Sequence, residues 1–253
     1  MSGHSKWASI KRQKGVNDAK RGQLFTKLGR EIVIAVREGG ADPEANFRLR
    51  LVLDKARQAN MPKDNIERAI KRGSGESVDG AQVEEYTYEG YGPHGTAIIV
   101  EAFTDNRNRT VSEVRHVFSR YGGNLGADGC VAWMFSRKGV ISVAVGGADP
   151  DEVALIAIDA GAEDVEVAEE TVEVYTEMTD FRAVRDALTE AGFELLDAQL
   201  SWLPQSQLAL AEKEAMTNLK LMEALEDLDD VQQVYSNLEL SDEVLASYEN
   251  QAA

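Results

Sequence analysis

From Gln23 to Arg72 apolar and polar positions alternate with a period near 3.6. From Gln23 to Glu38 the apolar residues are Leu24, Phe25, Leu28, Ile32, Val33 and Val36, a helical stripe that stops at Gly39-Gly40. Asp42-Pro43 then reads as an N-cap followed by a proline in the first turn. The helix it predicts runs to about Ala59, with Phe47, Leu51, Val52 and Ala56 inward. Asn60-Met61-Pro62 breaks that helix. A third, from Pro62 to Arg72, turns Ile66, Ala69 and Ile70 inward and ends at Gly73. Residues 1–22 are poor in apolar positions and predict an arm or a short frayed helix. Trp7 and Ile10, three apart, suit docking of such a helix, and Trp7 also suits stacking on a base.

Gly73-Ser74-Gly75-Glu76-Ser77-Val78-Asp79-Gly80 is a stretch of turn and polar residues and reads as a linker. Beyond it the period falls to two. Val83–Tyr88 and Thr96–Phe103 read as strands joined by the turn Gly90-Tyr91-Gly92-Pro93-His94-Gly95. A helix follows from about Thr110 to Tyr121 and stops at Gly122-Gly123-Asn124, and Val131–Phe135 reads as a strand. Next comes a self-contained series: strand Val140–Val145, a helix capped by Asp149-Pro150 to Ala160, strands Val165–Ala168 and Thr171–Met178, a helix capped by Asp180 to Ala191, and strand Glu194–Leu203. That βαββαβ order is the signature of a ferredoxin-like unit. A helix near 211–228 and a strand near 231–237 remain, and they complete the ββαβ left unfinished before residue 137. The predicted class is α+β: a small basic all-α N-terminal domain (1–80), then two α/β ferredoxin-like domains, one inserted in the other. The discontinuous one is 81–136 plus 204–240, the inserted one is 137–203, and a short acidic, helical tail spans 241–253.

Charge sharpens that division. Residues 1–75 carry 17 Lys/Arg and 8 Asp/Glu, net +9, whereas residues 76–253 carry 10 and 36, net −26. The stretch Gly3–Arg30 alone holds eight Lys/Arg and one acid, Asp18. So sharp a reversal inside a chain of net charge −17 is the electrostatic footprint of a polyanion partner. Lys6, Lys11, Arg12, Lys14, Lys20, Arg21, Lys27 and Arg30 are the candidate phosphate contacts, with Trp7 beside them. Lys63, Arg68, Lys71 and Arg72 line the third helix. A helix, a three-residue turn and a basic helix are the layout of a helix-turn-helix and equally of an ordinary αα-hairpin.

Other signals exclude more than they assign. No apolar run reaches the roughly 20 residues of a membrane span, and the N-terminus lacks an apolar signal core. The single cysteine, Cys130, rules out an internal disulfide and suits a reducing compartment such as the cytoplasm. His4, His94 and His116 are far apart and give no metal-ligand spacing, so neither metal nor cofactor is expected. Phosphate-loop and nucleophile-elbow motifs are absent, and no enzymatic activity is expected. In the acidic half, Asp105-Asn106-Arg107-Asn108-Arg109-Thr110 sets two arginines before a helix, where the macrodipole disfavours cations. Arg107 and Arg109 suit a grip on phosphate. The same residues equally make an Asx turn, a Thr110 cap and pairs with nearby acids. Arg115 and Arg120 extend a basic strip along that helix. Tyr86, Tyr88, Tyr91 and Trp133 lie on or beside strands, where core packing and base stacking compete.

Several of these motifs resemble one known family. Gly3-His4-Ser5-Lys6-Trp7, Asp18-Ala19-Lys20-Arg21-Gly22, Asn60 to Ile70, Tyr88-Glu89-Gly90-Tyr91-Gly92-Pro93 and Asp105–Thr110 are similar to the YebC family, over nearly the full chain. The resemblance implies a three-domain α/β protein with a helical N-terminal domain and no enzymatic activity. Bacterial members are commonly labelled DNA-binding transcriptional regulators, and mitochondrial members are translational activators. It therefore implies a cytoplasmic nucleic-acid-binding regulator whose partner is DNA, or alternatively ribosomal RNA and the ribosome. A protein–protein adaptor is a third reading, and the oligomeric state is left open. The chain departs from the family pattern at His94, where a glycine is expected, and at Phe47, where a smaller or polar residue is expected.

Overall fold

The computed structural model describes residues 18–76, 82–146, 149–168 and 171–252. They form two compact units, one of residues 134–206 and the other of residues 18–133 with 207–252. The larger unit begins with three helices: α1 (Asp18–Gly39), α2 (Phe47–Gln58) and α3 (Lys63–Gly73). The apolar stripe of α1 is the spine. Leu28, Ile32, Val33, Ala35 and Val36 are buried against Leu49, Val52, Leu53 and Ala56 of α2 and against Ala69 of α3. Both short helices lie along α1. Phe47 and Leu51, predicted inward, are only half-buried, and Leu49 and Leu53 take their place.

The caps differ from the predicted ones for identifiable reasons. Asp42 caps only a turn, accepting from the Glu44 amide at 2.9 Å. The N-cap of α2 is Asn46, whose side chain accepts from Leu49 N at 3.0 Å and donates to the carbonyls of Ala35 and Gly40 at 2.7 Å each. Asn46 thus satisfies the start of α2 and the end of α1 together. Gly73 is not a left-handed stop but the last helical residue of α3, and Gly75 takes the positive φ, +79°. Gly73 is there for closeness: a Cβ would stand 2.7 Å from Val36 Cβ and 2.9 Å from Val33 O.

The same unit continues with strands β1 (Glu84–Tyr91) and β2 (Ala97–Thr104), helix α4 (Arg107–Arg120) and the two-residue strand β3 (Asn124–Leu125). After the smaller unit the chain returns as α7 (Glu212–Glu226), β8 (Val231–Ser236) and α8 (Asp242–Ala252). The sheet is antiparallel with order β3-β1-β2-β8. Its core joins Tyr88, Ile98, Val100 and Val234 to Val114 and Phe118 of α4 and to Leu219, Leu221, Met222 and Leu225 of α7. The predicted strand Val131–Phe135 does not form. Its alternation is genuine, but the Glu89 carboxylate accepts from the amides of Gly129, Val131 and Ala132 at 2.7, 2.8 and 2.7 Å, so they do not enter a ladder.

The smaller unit is β4 (Phe135–Ala144), α5 (Pro150–Asp159), β5 (Asp164–Val167), β6 (Thr171–Thr176), α6 (Phe181–Glu190) and β7 (Leu195–Pro204). Its antiparallel order β5-β6-β4-β7 is the ferredoxin-like arrangement, whereas the larger unit has the different element order ββαβ followed by αβ. Asp149 caps α5 through Asp151 N at 3.0 Å, while Asp180 precedes α6 without a side-chain cap bond. Together the helical start and the two antiparallel sheets make an α+β protein.

Two substitutions test this description. Gly73→Ala should destabilise the protein by about 1–3 kcal/mol in urea unfolding, since backbone and β-branched atoms cannot retreat. His94 sits between β1 and β2 at φ +64°, ψ 18°, in the left-handed region where glycine is at ease. The turn therefore keeps the shape a glycine would give it. His94→Gly should leave stability within about 1 kcal/mol of the parent, and His94→Val should lower it by more than that.

Candidate nucleic-acid interface

The predicted phosphate contacts fall into three groups. Lys6, Trp7, Lys11, Arg12 and Lys14 lie outside the described residues, as does the second half of the linker, 77–80. Lys20 lies on α1, as does the exposed Arg21, whose guanidinium stands 5.6 Å from the centre of the Phe25 ring.

The second group turns inward. Gln23, Lys27 and Arg30 lie four and three residues apart on α1, opposite its apolar stripe, and meet the end of α7. Gln23 Nε2 donates to Asp227 O and Lys27 Nζ to Glu226 O, at 2.5 Å each. Arg30 donates to Asp229 O. The Glu226 and Asp227 carbonyls end α7, where acceptors lack intrahelical partners and a cation is favourable, and Asp229 O lies in the turn that follows. Arg30 Nη2 also reaches Asp230 Oδ1 at 2.9 Å. Asp230 is 2% exposed. Its carboxylate accepts from Thr110 Oγ1 at 2.6 Å, Thr104 Oγ1 at 3.0 Å and Arg109 Nη2 at 2.7 Å. Burial pushes this carboxyl up. The Thr110 hydroxyl, the Arg109 guanidinium, the Thr104 hydroxyl and the charge of Arg30 outweigh burial and hold it below the ordinary carboxylate range. Lys27, Arg30 and Arg109 are thereby engaged in joining α1, β2, α4 and the α7–β8 turn. Composition registered their sign but could not register their acceptors. Thr110 lies inside α4, and the cap is Asn106, which accepts from Arg109 N at 3.1 Å.

The third group faces outward. On α3, Lys63, Arg68, Lys71 and Arg72 are all exposed, interspersed with Asp64 and Glu67. Lys63 Nζ stands 3.6 Å from Glu67 Oε1, one turn on, a weak surface pair. Arg72 Nη2 lies 4.0 Å from Asp105 Oδ2, which brings the end of α3 to the start of α4. There Arg107 covers the Tyr86 ring at 5.1 Å, and Arg109 bonds Asp105 at 3.2 Å. Farther along α4, Arg115, His116 and Arg120 are exposed. The end of α3 and the arginine loop that opens α4 are thus neighbours within the larger unit, and both helices carry exposed cations.

The aromatic candidates divide. Tyr88 is buried and Tyr86 is half-buried beneath Arg107. Tyr91 and Trp133 are exposed, at 38% and 69%. The Cys130 carbonyl accepts from both side chains, and the residue is half-buried, its thiol pushed up by burial and by the charge of Glu89. Among the described residues, no group of three or more His, Cys, Asp or Glu side chains is placed to hold a metal ion. No helix among them is long and apolar enough to cross a membrane.

The family model described as the TACO1/YebC protein N-terminal domain matches residues 5–76, and the model of the TACO1/YebC second and third domain matches residues 83–238. The chain belongs to the TACO1/YebC family. A relative from Desulfosudis oleivorans is 52% identical over 96% of this chain and 99% of its own, and one from Herpetosiphon aurantiacus is 55% identical over 99% and 100%. Both carry the name "Probable transcriptional regulatory protein". A crystal structure of a conserved hypothetical protein from Aquifex aeolicus superposes with a TM-score of 0.83 at 50% identity, over 90% of this chain and 94% of that one. Family membership fixes the fold. What the basic surface does is a separate question.

Asp230 has a testable signature. Asp230→Ala leaves Arg30 and Arg109 facing a buried gap and should cost about 3–5 kcal/mol at neutral pH. Because the folded-state pKa is depressed, the contribution of the carboxylate is complete above its unfolded value, near 3.9. It is lost as pH falls through the folded value. Asp230→Asn should therefore flatten the dependence of stability on pH below about pH 4, measured by urea unfolding across that range.

Proposed function

We propose that the chain is a non-enzymatic regulator of gene expression that works by binding nucleic acid. The observation that carries this reading is the exposed cationic run Lys63, Arg68, Lys71 and Arg72 on α3, continued by Arg107, Arg115 and Arg120 on α4. It stands out against an acid-rich remainder: from Gly139 to Phe181 there are 12 Asp/Glu and no Lys or Arg. A polyanion approaching this molecule is repelled by the smaller unit and drawn to one face of the larger. The arm residues Lys6, Lys11, Arg12 and Lys14 add charge of the same sign. The name carried by the relatives, "Probable transcriptional regulatory protein", supports a role in transcriptional regulation, and on this reading the partner is DNA and the compartment the cytoplasm. The exposed aromatic pair Tyr91 and Trp133 favours a second reading, in which ribosomal RNA is the target and translation is regulated.

Phosphate contacts release counterions, so affinity depends steeply on salt. The variant Lys63→Gln/Arg68→Gln/Lys71→Gln/Arg107→Gln should bind nucleic acid more weakly, with the slope of log affinity against log salt reduced by about 3. Fluorescence anisotropy over a salt series reads both quantities. Unchanged affinity and slope would sink the proposal.

A further inference from the structure

Helix α5 of the smaller unit is apolar nearly all the way round. It contains the unbroken run Val153-Ala154-Leu155-Ile156-Ala157-Ile158. Such a helix belongs inside a core. This one lies at the surface. Val153 and Ala157 are buried and Ala154 and Ile156 half-buried, but Leu155 is 61% exposed and Ile158 58%. A single exposed apolar side chain needs no explanation. These two are three residues apart and so are neighbours on one helix face.

The strand beside α5 adds a third. β5 is an edge of its sheet and packs against α5. A Cβ on Gly139 would collide with Thr176 Oγ1 and the Phe181 side chain of α6, which marks the helix-bearing side of the sheet. By alternation Val172 and Val174 share that side, and both are fully buried. Their partners across the ladder are Val167 and Val165. Val167, on the same side at the open edge, is 56% exposed.

Charge around Leu155 has one sign. Asp151, Glu152 and Asp159 lie four, three and four residues from it, and all are exposed, so they ring the same patch. Asp151 and Glu152 occupy the first turn of α5, where the helix dipole favours acids. Asp159 ends the helix, where the dipole disfavours them, and the last turn holds no basic residue. From Gly139 to Phe181 there is neither Lys nor Arg. Arg182 and Arg185 of α6 pair with Asp186 of their own helix. An exposed apolar strip and an acid at the carbonyl end of a helix both gain from one kind of neighbour, apolar and cationic together.

We infer that the outer face of α5 is a docking surface for a cationic amphipathic helix of another protein. Apolar side chains of that helix would cover Leu155 and Ile158, and its Lys or Arg residues would meet Asp151, Glu152 and Asp159. Helices recognise each other through apolar anchors at this spacing. Charge selects the occupant: a second copy of the chain would set acids against acids, and nucleic acid or an anionic lipid surface carries the wrong sign. The inference is independent of the nucleic-acid reading and gives the acidic unit a role that polyanion binding leaves open.

Fluorescence anisotropy on the full chain tests this with a labelled synthetic helix of leucine and lysine at amphipathic spacing, and a leucine–glutamate helix of the same pattern as control. The parent should bind the lysine peptide and not the glutamate peptide. Leu155→Gln/Ile158→Gln, which keeps good helix formers at exposed positions, should weaken binding at least about tenfold with helix content by circular dichroism unchanged. Glu152→Gln/Asp159→Asn should also weaken it and flatten its dependence on salt. Absence of binding by the parent, equal binding by Leu155→Gln/Ile158→Gln, or equal binding of the glutamate peptide would each overturn the inference. Sedimentation velocity covers a second copy: self-association of the parent that Leu155→Gln/Ile158→Gln abolishes makes another copy the occupant and overturns it too. So does tighter peptide binding by Lys11→Gln/Arg12→Gln/Lys14→Gln, since the chain's own arm would then be the segment displaced.

Discussion

The larger unit depends on one buried carboxylate. Asp230 lies where α1, the end of β2, the start of α4 and the α7–β8 turn converge, and each of the first three sends it a donor. A charge this deep is tolerable only because two guanidinium groups and two hydroxyls surround it. Such a cluster has one arrangement with every group satisfied, so it fixes the angle at which the N-terminal helices join the sheet. Apolar contact alone, between Val83 or Phe103 and the helices, would allow sliding. The polar stripe Gln23, Lys27 and Arg30 then closes the carbonyl end of α7, tying the first described helix to nearly the last.

The elements legible in the sequence were those whose periodicity reports a single buried face. α1 and α4 each bury one stripe, and for them, for α7 and for the strands of the ferredoxin-like unit the boundaries read from turn residues fall within a few positions of the observed ones. What escaped was settled by partners remote in sequence. Val131–Phe135 alternates like a strand, but the acceptor for its amides is a glutamate about 40 residues earlier. Gly73 has the sequence position of a cap, and only the crossing of α1 shows that its missing Cβ is what matters. Asp230 is one acid among 44, in an acidic turn, with no local pattern to distinguish it. The paired hydroxyls of Thr104 and Thr110 flanking two arginines were the nearest thing to a signal, and they read as well for capping.

The same distinction applies to the candidate site. Charge segregation singles out the half of the chain proposed to face a polyanion, since Coulomb sign is additive and needs no geometry. It could not separate cations that hold the protein together from cations that face solvent. Lys27, Arg30 and Arg109 are of the first kind, and Lys63, Arg68 and Lys71 of the second. Sorting them moves the proposed interface away from α1, towards α3 and α4.

That relocation changes what recognition must rely on. The α3 face alternates its four cations with Asp64 and Glu67, so its local excess of positive charge is modest. Its side chains are long and solvent-exposed, which makes each contact with phosphate weak, salt-sensitive and indifferent to sequence. A surface of this kind positions a nucleic acid without selecting one. On the proposed reading, selection among nucleic acids lies with groups other than these cations, because a charge on a long solvated side chain does not distinguish one base from another.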